Sequence, residues 1–453
     1  MTRSTTVIAV ASGAAALALS LVGCGSWGRP GSASPQSGET LVQALDLGAA
    51  YRRIGRMAGQ GPTPFIADVA FLGGPGDSTV AVIGVSLENQ NLAFQREGDA
   101  FVAHYRVQLQ AEPVGGGKAV SLGRDQSVRV GTFQETQRSE ESVLFQEGMT
   151  LAPGSWTISV SVTDALPGKV SKASAQYAVP RFANGTFSQP VLAYQVRPRA
   201  RRNAPISVIL NPRGTVAYGA DTAIAFVEAY ALPGPRVMPI RLITGRDSVV
   251  RVDSLHFAGG QEVESAVLRF TADSFPLGEL HLVVGDAPDT TASAALVSFS
   301  SSWVVTNFDD LLSLLRYFPP SPALDSLRKA APTERAQAWR AFWKASDPNP
   351  ATGNNEALDQ YVRRVALANL RFRDEGIPGW RTDRGEVFVR LGEPDEIFDA
   401  SPQSEGRLIR WGYTQWQLVL YFIDETGFGR YRLSPGSRSE LERVVAQLSR
   451  RGE

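Results

Sequence analysis

"FVAHYRVQL", residues Phe101 to Leu109, alternates without a break: Phe101, Ala103, Tyr105, Val107 and Leu109 fall on one side, and Val102, His104, Arg106 and Gln108 on the other. Successive side chains of an extended backbone point to opposite faces, so this run predicts a strand with one face buried and one face wet. "PGSWTISVSVTD" does the same after a Pro153–Gly154 turn, with Trp156, Ile158, Val160 and Val162 as its inward set. The fold therefore opens, on this reading, as antiparallel β structure.

Working outward, several such runs separated by turn signals predict a β-sandwich of immunoglobulin-like type over residues 61–183. A second block echoes the first. "GADTAIAFVEAYAL" (Gly219 to Leu232) parallels "EGDAFVAHYRVQL", and "FPLGELHLVVGDA" (Phe275 to Ala287) parallels "LAPGSWTISVSVTD", which predicts a second sandwich of the same kind over 184–304. Neither block offers obvious chemistry. His104 sits on the wet side of its strand, His281 alternates with Leu280 and Leu282, and His256 stands beside Phe257. With 3 His and 1 Cys in 453 residues, neither a metal centre nor a cofactor is expected.

The pattern turns helical over 305–376. "NFDDLLSLLRYF" places Asn307 as an N-cap before Asp309 and Asp310 and stops at Pro319–Pro320. "PTERAQAWRAFWKASDPNP" sets Trp339, Phe342 and Trp343 on one face, and aromatics at helical spacing are read as core. A third helix from Asn355 to about Arg373 carries Leu358, Tyr361, Val365, Ala368 and Phe372 as a packing seam, with Arg363, Arg364 and Arg371 on its polar back.

The last segment, 377–453, contains "GWRTDRGEVFVRLGEPDEI" (Gly379 to Ile397). The third helix is expected to end near Gly376, Pro378 to force an extended path, and "GEVFVRLG" to form a strand in which Val387, Val389 and Leu391 alternate with Phe388 and Arg390. Trp380 would cap the helical seam, Thr382 or Asp383 would accept backbone N–H groups, Arg384 would pair with a nearby acid, and Gly385 would take a positive φ. Gly392, Pro394 and Asp395 make a sharp turn, and "RLIRWGYTQ" with "WQLVLYFIDETGFGRYRL" reads as a meander whose last hairpin turns at Asp424 to Gly427.

Gly379, Trp380, Thr382 and Asp383 match the GWxTD motif, and the chain resembles the GWxTD domain family of bacterial proteins over about 307–435, flanking segments included. That resemblance implies an α+β module behind a β-rich extension and assigns no activity. The order strand, "LGEPDEI", "RWGYTQWQLVLYFID" is also similar to the small modules of envelope assembly lipoproteins of the BamE or SmpA type, which act by binding partners.

The N-terminus bears on place. Arg3, the run Val7 to Leu19, and Leu21-Val22-Gly23-Cys24 resemble a lipoprotein export signal over 1–23, which implies lipidation of Cys24. Two or more acyl chains anchor stably where one is marginal. Residues 24–60 are then a lipidated tether with a short amphipathic helix, and the same resemblance implies, from Gly25 where an Asp would signal inner-membrane retention, an anchor in the outer membrane with the body in the periplasm. Cys24 is the single Cys, so an internal disulfide and a Cys-ligated metal site in the mature protein are excluded. With 45 basic residues against 45 acidic ones, no overall field favours nucleic acid.

Two functions follow as expectations. The first is a non-enzymatic, membrane-anchored binding or scaffolding protein recognising another envelope protein or polymer, with the motif residues serving structure or a partner. The alternative is an envelope hydrolase acting on peptidoglycan or glycan through acids near Asp383 and Asp395, which would need two carboxylates held across a cleft.

Overall fold

The computed structural model describes residues 47–136, 143–218, 222–245, 247–272, 275–287, 289–300, 305, 308–351, 355–372, 377–399, 407–425, 427 and 429–451. The export signal, Cys24, the tether, Asn307, Arg373 and Gly376 lie outside them.

Helix α1 (Leu47–Arg53) leads into strands β1 (Met57–Gly59), β2 (Phe65–Gly73), β3 (Thr79–Leu87), β4 (Gln95–Glu97), β5 (Ala100–Pro113) and β6 (Val120–Val130). A single turn, α2 (Phe133–Thr136), precedes β7 (Val143–Leu151), β8 (Gly154–Asp164) and β9 (Val170–Val179). One sheet runs β1-β2-β3-β7; its companion carries β5 paired to β8, β8 to β9, and β4 and β6 along β5. The expected inward sets hold: Ala103, Tyr105, Val107 and Leu109 face Trp156, Ile158, Val160 and Val162 into one core shared by the two sheets, while Phe101 is half-buried.

The next region contains β10 (Val191–Arg197), β11 (Ser207–Leu210), β12 (Thr215–Ala217), β13 (Ala223–Tyr230), β14 (Arg236–Thr244), β15 (Val249–Phe257), β16 (Val263–Phe270), β17 (Gly278–Val284) and β18 (Thr291–Ser298). They form a sheet of order β11-β10-β13-β16 facing a sheet of order β12-β18-β17-β14-β15. The echo read in the sequence does not survive as topology. β5 and β8 are neighbours in one sheet, whereas β13 and β17, their supposed counterparts, lie in opposing sheets. Any half-buried strand must alternate, so alternation alone cannot identify duplicated positions.

The two pairs of sheets also pack on each other. Ala70 and Leu72 of β2 and Val82 of β3 meet Val191, Ala193, Val208, Leu210 and Phe226 of the second region. β2 and β3 are consequently buried on both faces, which is why "FIADVAFLG" and "TVAVIGVSL" are nearly continuous apolar runs.

Helices α3 (Phe308–Leu314), α4 (Pro322–Lys329), α5 (Arg335–Ser346) and α6 (Glu356–Arg371) follow. Ser321 and Asn355 cap α4 and α6 by accepting the N–H of Leu324 and Leu358. The aromatic stripe is core: Trp339 and Phe342 are buried among Phe299, Phe318 and Trp343. Beyond a 3-10 turn at Gly379–Arg381 comes α7 (Asp383–Leu391), then the antiparallel sheet β19 (Glu396–Asp399), β20 (Arg407–Tyr413), β21 (Leu418–Asp424) and β22 (Arg432–Leu433), and a closing helix α8 (Pro435–Arg451).

α7 overturns the expected strand at "GEVFVRLG". Thr382 accepts the Gly385 N–H at 3.0 Å, Asp383 and Glu386 occupy the first turn, and Gly392 ends the helix at φ 86°. These end signals and a buried set of Val387, Phe388, Val389 and Leu391 outweigh the strand preference of two valines. One hydrophobic core runs unbroken from the second pair of sheets through these helices to the C-terminal sheet.

Candidate functional site

The motif occupies the joint between α6, α7 and the C-terminal sheet. Gly379 lies against α6 so closely that a Cβ there would stand 2.5 Å from the Ala368 carbonyl oxygen and 2.7 Å from that of Asn369. Its N–H donates to Asn369 Oδ1 at 3.0 Å. Trp380 is fully buried, with its ring 5.9 Å from that of Tyr317 and the Arg381 guanidinium 5.0 Å over it. Thr382 donates its hydroxyl proton to the Gly379 carbonyl at 2.7 Å while capping α7.

Gly385 corrects a second expectation: it is helical and absent from the positive-φ glycines. Closeness, not backbone handedness, requires it, because a Cβ would lie 2.0 Å from the Gly379 carbonyl oxygen and 2.7 Å from Trp380 Cα. Glycines 379 and 385 thus let the motif turn and the first turn of α7 sit in backbone contact.

The acids are committed to neighbours. Asp383 Oδ2 accepts the Leu433 N–H at 2.7 Å, and Oδ1 stands 3.5 Å from Arg432 and 3.4 Å from Arg438. Glu386 accepts from Arg438 at 2.7 Å and lies 3.5 Å from Arg390, which also binds Glu442 at 2.8 Å. Burial works against the Arg438 charge, but Glu386, Asp383 and Glu442 together hold its pKa above the usual arginine value. Arg384 stacks over Tyr431 at 4.4 Å and Phe372 at 5.6 Å.

In the following turn, Gly392 takes the positive φ, Pro394 is buried, and Asp395 Oδ2 accepts the Thr414 N–H at 2.6 Å. Asp383 and Asp395 are therefore each tied to a different strand end, Leu433 and Thr414. Among the described residues no cluster of three or more His, Cys, Asp or Glu could hold a metal.

Two clefts of about 390 Å³ lie elsewhere. One is lined by Gln146, Glu147, Arg199 and Arg202, the other by Tyr51, Arg52, Glu88 and Arg213. Both border the seam between the two pairs of sheets, and the sequence reading pointed to neither. The signal available was an arginine in a turn-rich stretch, "RPRARR" and "NPRG", which looks like any solvated loop.

That seam has a built polar joint. Arg199 donates to both oxygens of Glu228 at 2.8 Å and to the Gly73 carbonyl at 2.6 Å; Tyr230 donates to Glu228 at 2.8 Å and accepts the Gly73 N–H at 2.6 Å. Arg199, Glu228 and Tyr230 are all buried. Burial, followed by the Glu228 charge, pushes the Tyr230 phenol well above its usual range.

Residues 281–422 match the model of the family described as GWxTD domain. The matched span opens inside β17 rather than at the helical segment, and so includes β18 and its share of the continuous core. No curated protein matches the chain. Among solved structures it is similar to trypsin-activated alpha-2-macroglobulin from Escherichia coli, with 12% identity, a TM-score of 0.17, and coverage of 53% of this chain and 17% of that one. It is also similar to the calcium binding domain CBD12 of CALX1.1, with 9% identity, a TM-score of 0.14, and coverage of 61% and 93%. Scores so low carry no assignment of fold or function.

Proposed function

We propose that this GWxTD-domain protein is a non-enzymatic scaffolding or binding protein of the bacterial cell envelope, lipid-anchored at Cys24, most simply in the outer membrane with its body in the periplasm. The facing sheets of 57–298 are read as two immunoglobulin-like sandwiches acting as a rigid spacer, and the C-terminal module as the part that meets a partner protein or polymer.

One observation carries the reading. The motif's hydroxyl and its two candidate acids are already engaged: Thr382 caps α7, Asp383 serves Leu433, Arg432 and Arg438, and Asp395 serves Thr414. A hydrolase would need one acid free to shuttle protons and a second across a cleft. The motif acids instead spend their lone pairs on holding strand ends, which supports a structural role.

Crosslinking in intact cells followed by purification in detergent is expected to recover a stoichiometric envelope partner; recovery of the protein alone would argue against binding. Amide variants Asp383→Asn and Asp395→Asn are expected to leave envelope hydrolysis unchanged, and loss of such an activity in both would establish the enzyme instead. Cys24→Ser is expected to move the protein from the detergent phase to the aqueous phase, and unchanged partitioning would remove the anchor from the reading.

A further inference from the structure

The turn carrying Arg316 and Tyr317 gathers more cations than ion-paired acids among the described residues. Tyr361 of α6 fixes it, donating to the Leu314 carbonyl at 2.6 Å and accepting the Tyr317 N–H at 3.2 Å. Around the Tyr317 ring, Trp380 stands 5.9 Å away, Arg381 lies 5.0 Å over Trp380, and Arg390 lies 5.6 Å over Tyr317 itself. Arg364, three positions after Tyr361 on α6 and read in the sequence as part of its polar back, lies close enough for its charge to act on the Tyr361 phenol that fixes the turn.

The acids fall short of these charges. Arg390 has Glu442 and Glu386, and Glu386 is shared with Arg438. Among the described residues Arg381 donates to the Ser313 hydroxyl at 2.6 Å and makes no ion pair within 4 Å. Arg316 is exposed and Arg364 half-buried, and neither has an ion-pair partner among the described residues. The buried Nε donors of Arg364, Arg381 and Arg390 have no acceptor among the described residues. Asp310 is the acid whose charge interacts with Arg381; burial and then Asp309 hold its pKa above the usual carboxylate value, and Arg381 opposes them.

A half-buried guanidinium with no ion-paired acid among the described residues is costly: burial lowers the Arg364 pKa, and Tyr361 opposes the shift. Planar N–H forks match the paired oxygens of an oxyanion, and several converging cations favour a highly charged one. We propose that Arg316, Arg364 and Arg381 form a binding site for a phosphoryl group, supplied either as a soluble phosphate or as a phospholipid headgroup. The site stands independently of the scaffolding reading, since it needs only the geometry of this turn.

The test titrates the full chain with inorganic phosphate at constant ionic strength and follows binding by calorimetry and the shift in unfolding temperature. Phosphate is expected to bind and stabilise beyond chloride, and Arg316→Gln and Arg364→Leu are each expected to weaken binding about tenfold. Arg364→Leu should also leave the phosphate-free protein as stable as before or more so, because it removes an uncompensated charge; a purely structural Arg364 would give the opposite. Arg328→Gln, which alters an exposed pair with Asp325 on α4, should bind as the parent does. If Arg364→Leu fails to fold, exposed Arg316→Gln decides alone.

Competition separates the sources. Displacement of phosphate by phosphatidylglycerol vesicles and not by phosphatidylcholine vesicles would support the site with a lipid headgroup as its ligand, and absence of displacement would support it with a soluble phosphate. Equal effects of phosphate and chloride, or unaltered binding in both variants, would overturn the proposal.

Discussion

Gly385 and Gly392 lie seven positions apart in one motif and answer to different constraints. At Gly392 the backbone is left-handed, at φ 86°, with open space where a Cβ would go; at Gly385 the backbone is helical and the space is filled by the Gly379 carbonyl at 2.0 Å. Gly392→Ala should therefore cost about 1 kcal/mol of backbone strain. Gly385→Ala, which in an open helix would gain almost 1 kcal/mol, should cost about 3 kcal/mol here because two backbone segments must part. Urea unfolding of the two variants checks the order, and equal losses would refute the close-approach account. Thr382→Val keeps the volume and removes a cap and a buried hydrogen bond, for an expected loss of about 2 kcal/mol in the same assay. The glycines themselves stood out in the sequence, but the carbonyl that excludes a side chain at Gly385 belongs to another turn and could not be foreseen from local spacing.

At the scale of elements, the strands of the first region were legible and the partners of those strands were not. Alternation at Phe101 to Leu109 and at Trp156 to Val162 specified which side faces inward, because a buried face requires period two wherever the strand sits. That Tyr105 pairs opposite Asp164, with a β9 residue, Tyr177, opposite Trp156, comes from the register. This placement has a pH consequence. Burial pushes the Tyr105 phenol up to about 12, and burial reinforced by the Asp68 carboxylate, against Arg56, pushes Tyr177 up to about 12. Both pKa values are raised in the folded state, so their contribution is full below the unfolded value of about 10 and is lost as pH rises through about 12. Parent stability should fall steeply over that window, and the variant with Tyr105→Phe and Tyr177→Phe should fall less steeply. Parallel curves from chemical denaturation across the window would refute it. α7 illustrates the converse failure, in which a short apolar run satisfied both periods and the capping residues at Thr382 and Gly392 settled it as a helix.

At the scale of the whole described chain, the seam between the two pairs of sheets is fastened by charge as well as by apolar packing. Removing one member of a buried pair leaves the other uncompensated, so Glu228→Gln should cost about 3–5 kcal/mol. Because the same residues reach Gly73 of the first sheet and β13 of the second region, the loss should also uncouple them. Calorimetry is expected to show one transition for the 57–298 region in the parent and two in the variant; a single lowered transition would mean that apolar contacts at Leu72, Leu210 and Phe226 suffice to couple the sheets. α1 and the turn after it add further ties at this scale: Tyr51 of α1 bonds Thr215 at 3.1 Å, and Arg56 of the turn joins Asp68 at 2.9 Å to the Ala294 carbonyl at 3.1 Å.

The sequence by itself determined the class of each region, the inward face of its strands, the helical stripe of Trp339 and Phe342, and the presence of the GWxTD motif, because these depend on spacing along the chain. α8, whose Leu441, Val444 and Leu448 carry helical spacing, lies beyond the expected meander, which ends at Leu433. Tertiary structure alone decided that β2 and β3 are buried on both faces, that β13 and β17 part to opposing sheets, that Asp383 serves a strand end, and that Arg364 has no ion-pair partner among the described residues. Each of those outcomes is set by groups far apart in sequence and brought within a few ångströms by packing, and periodicity holds no information about which distant residue will arrive.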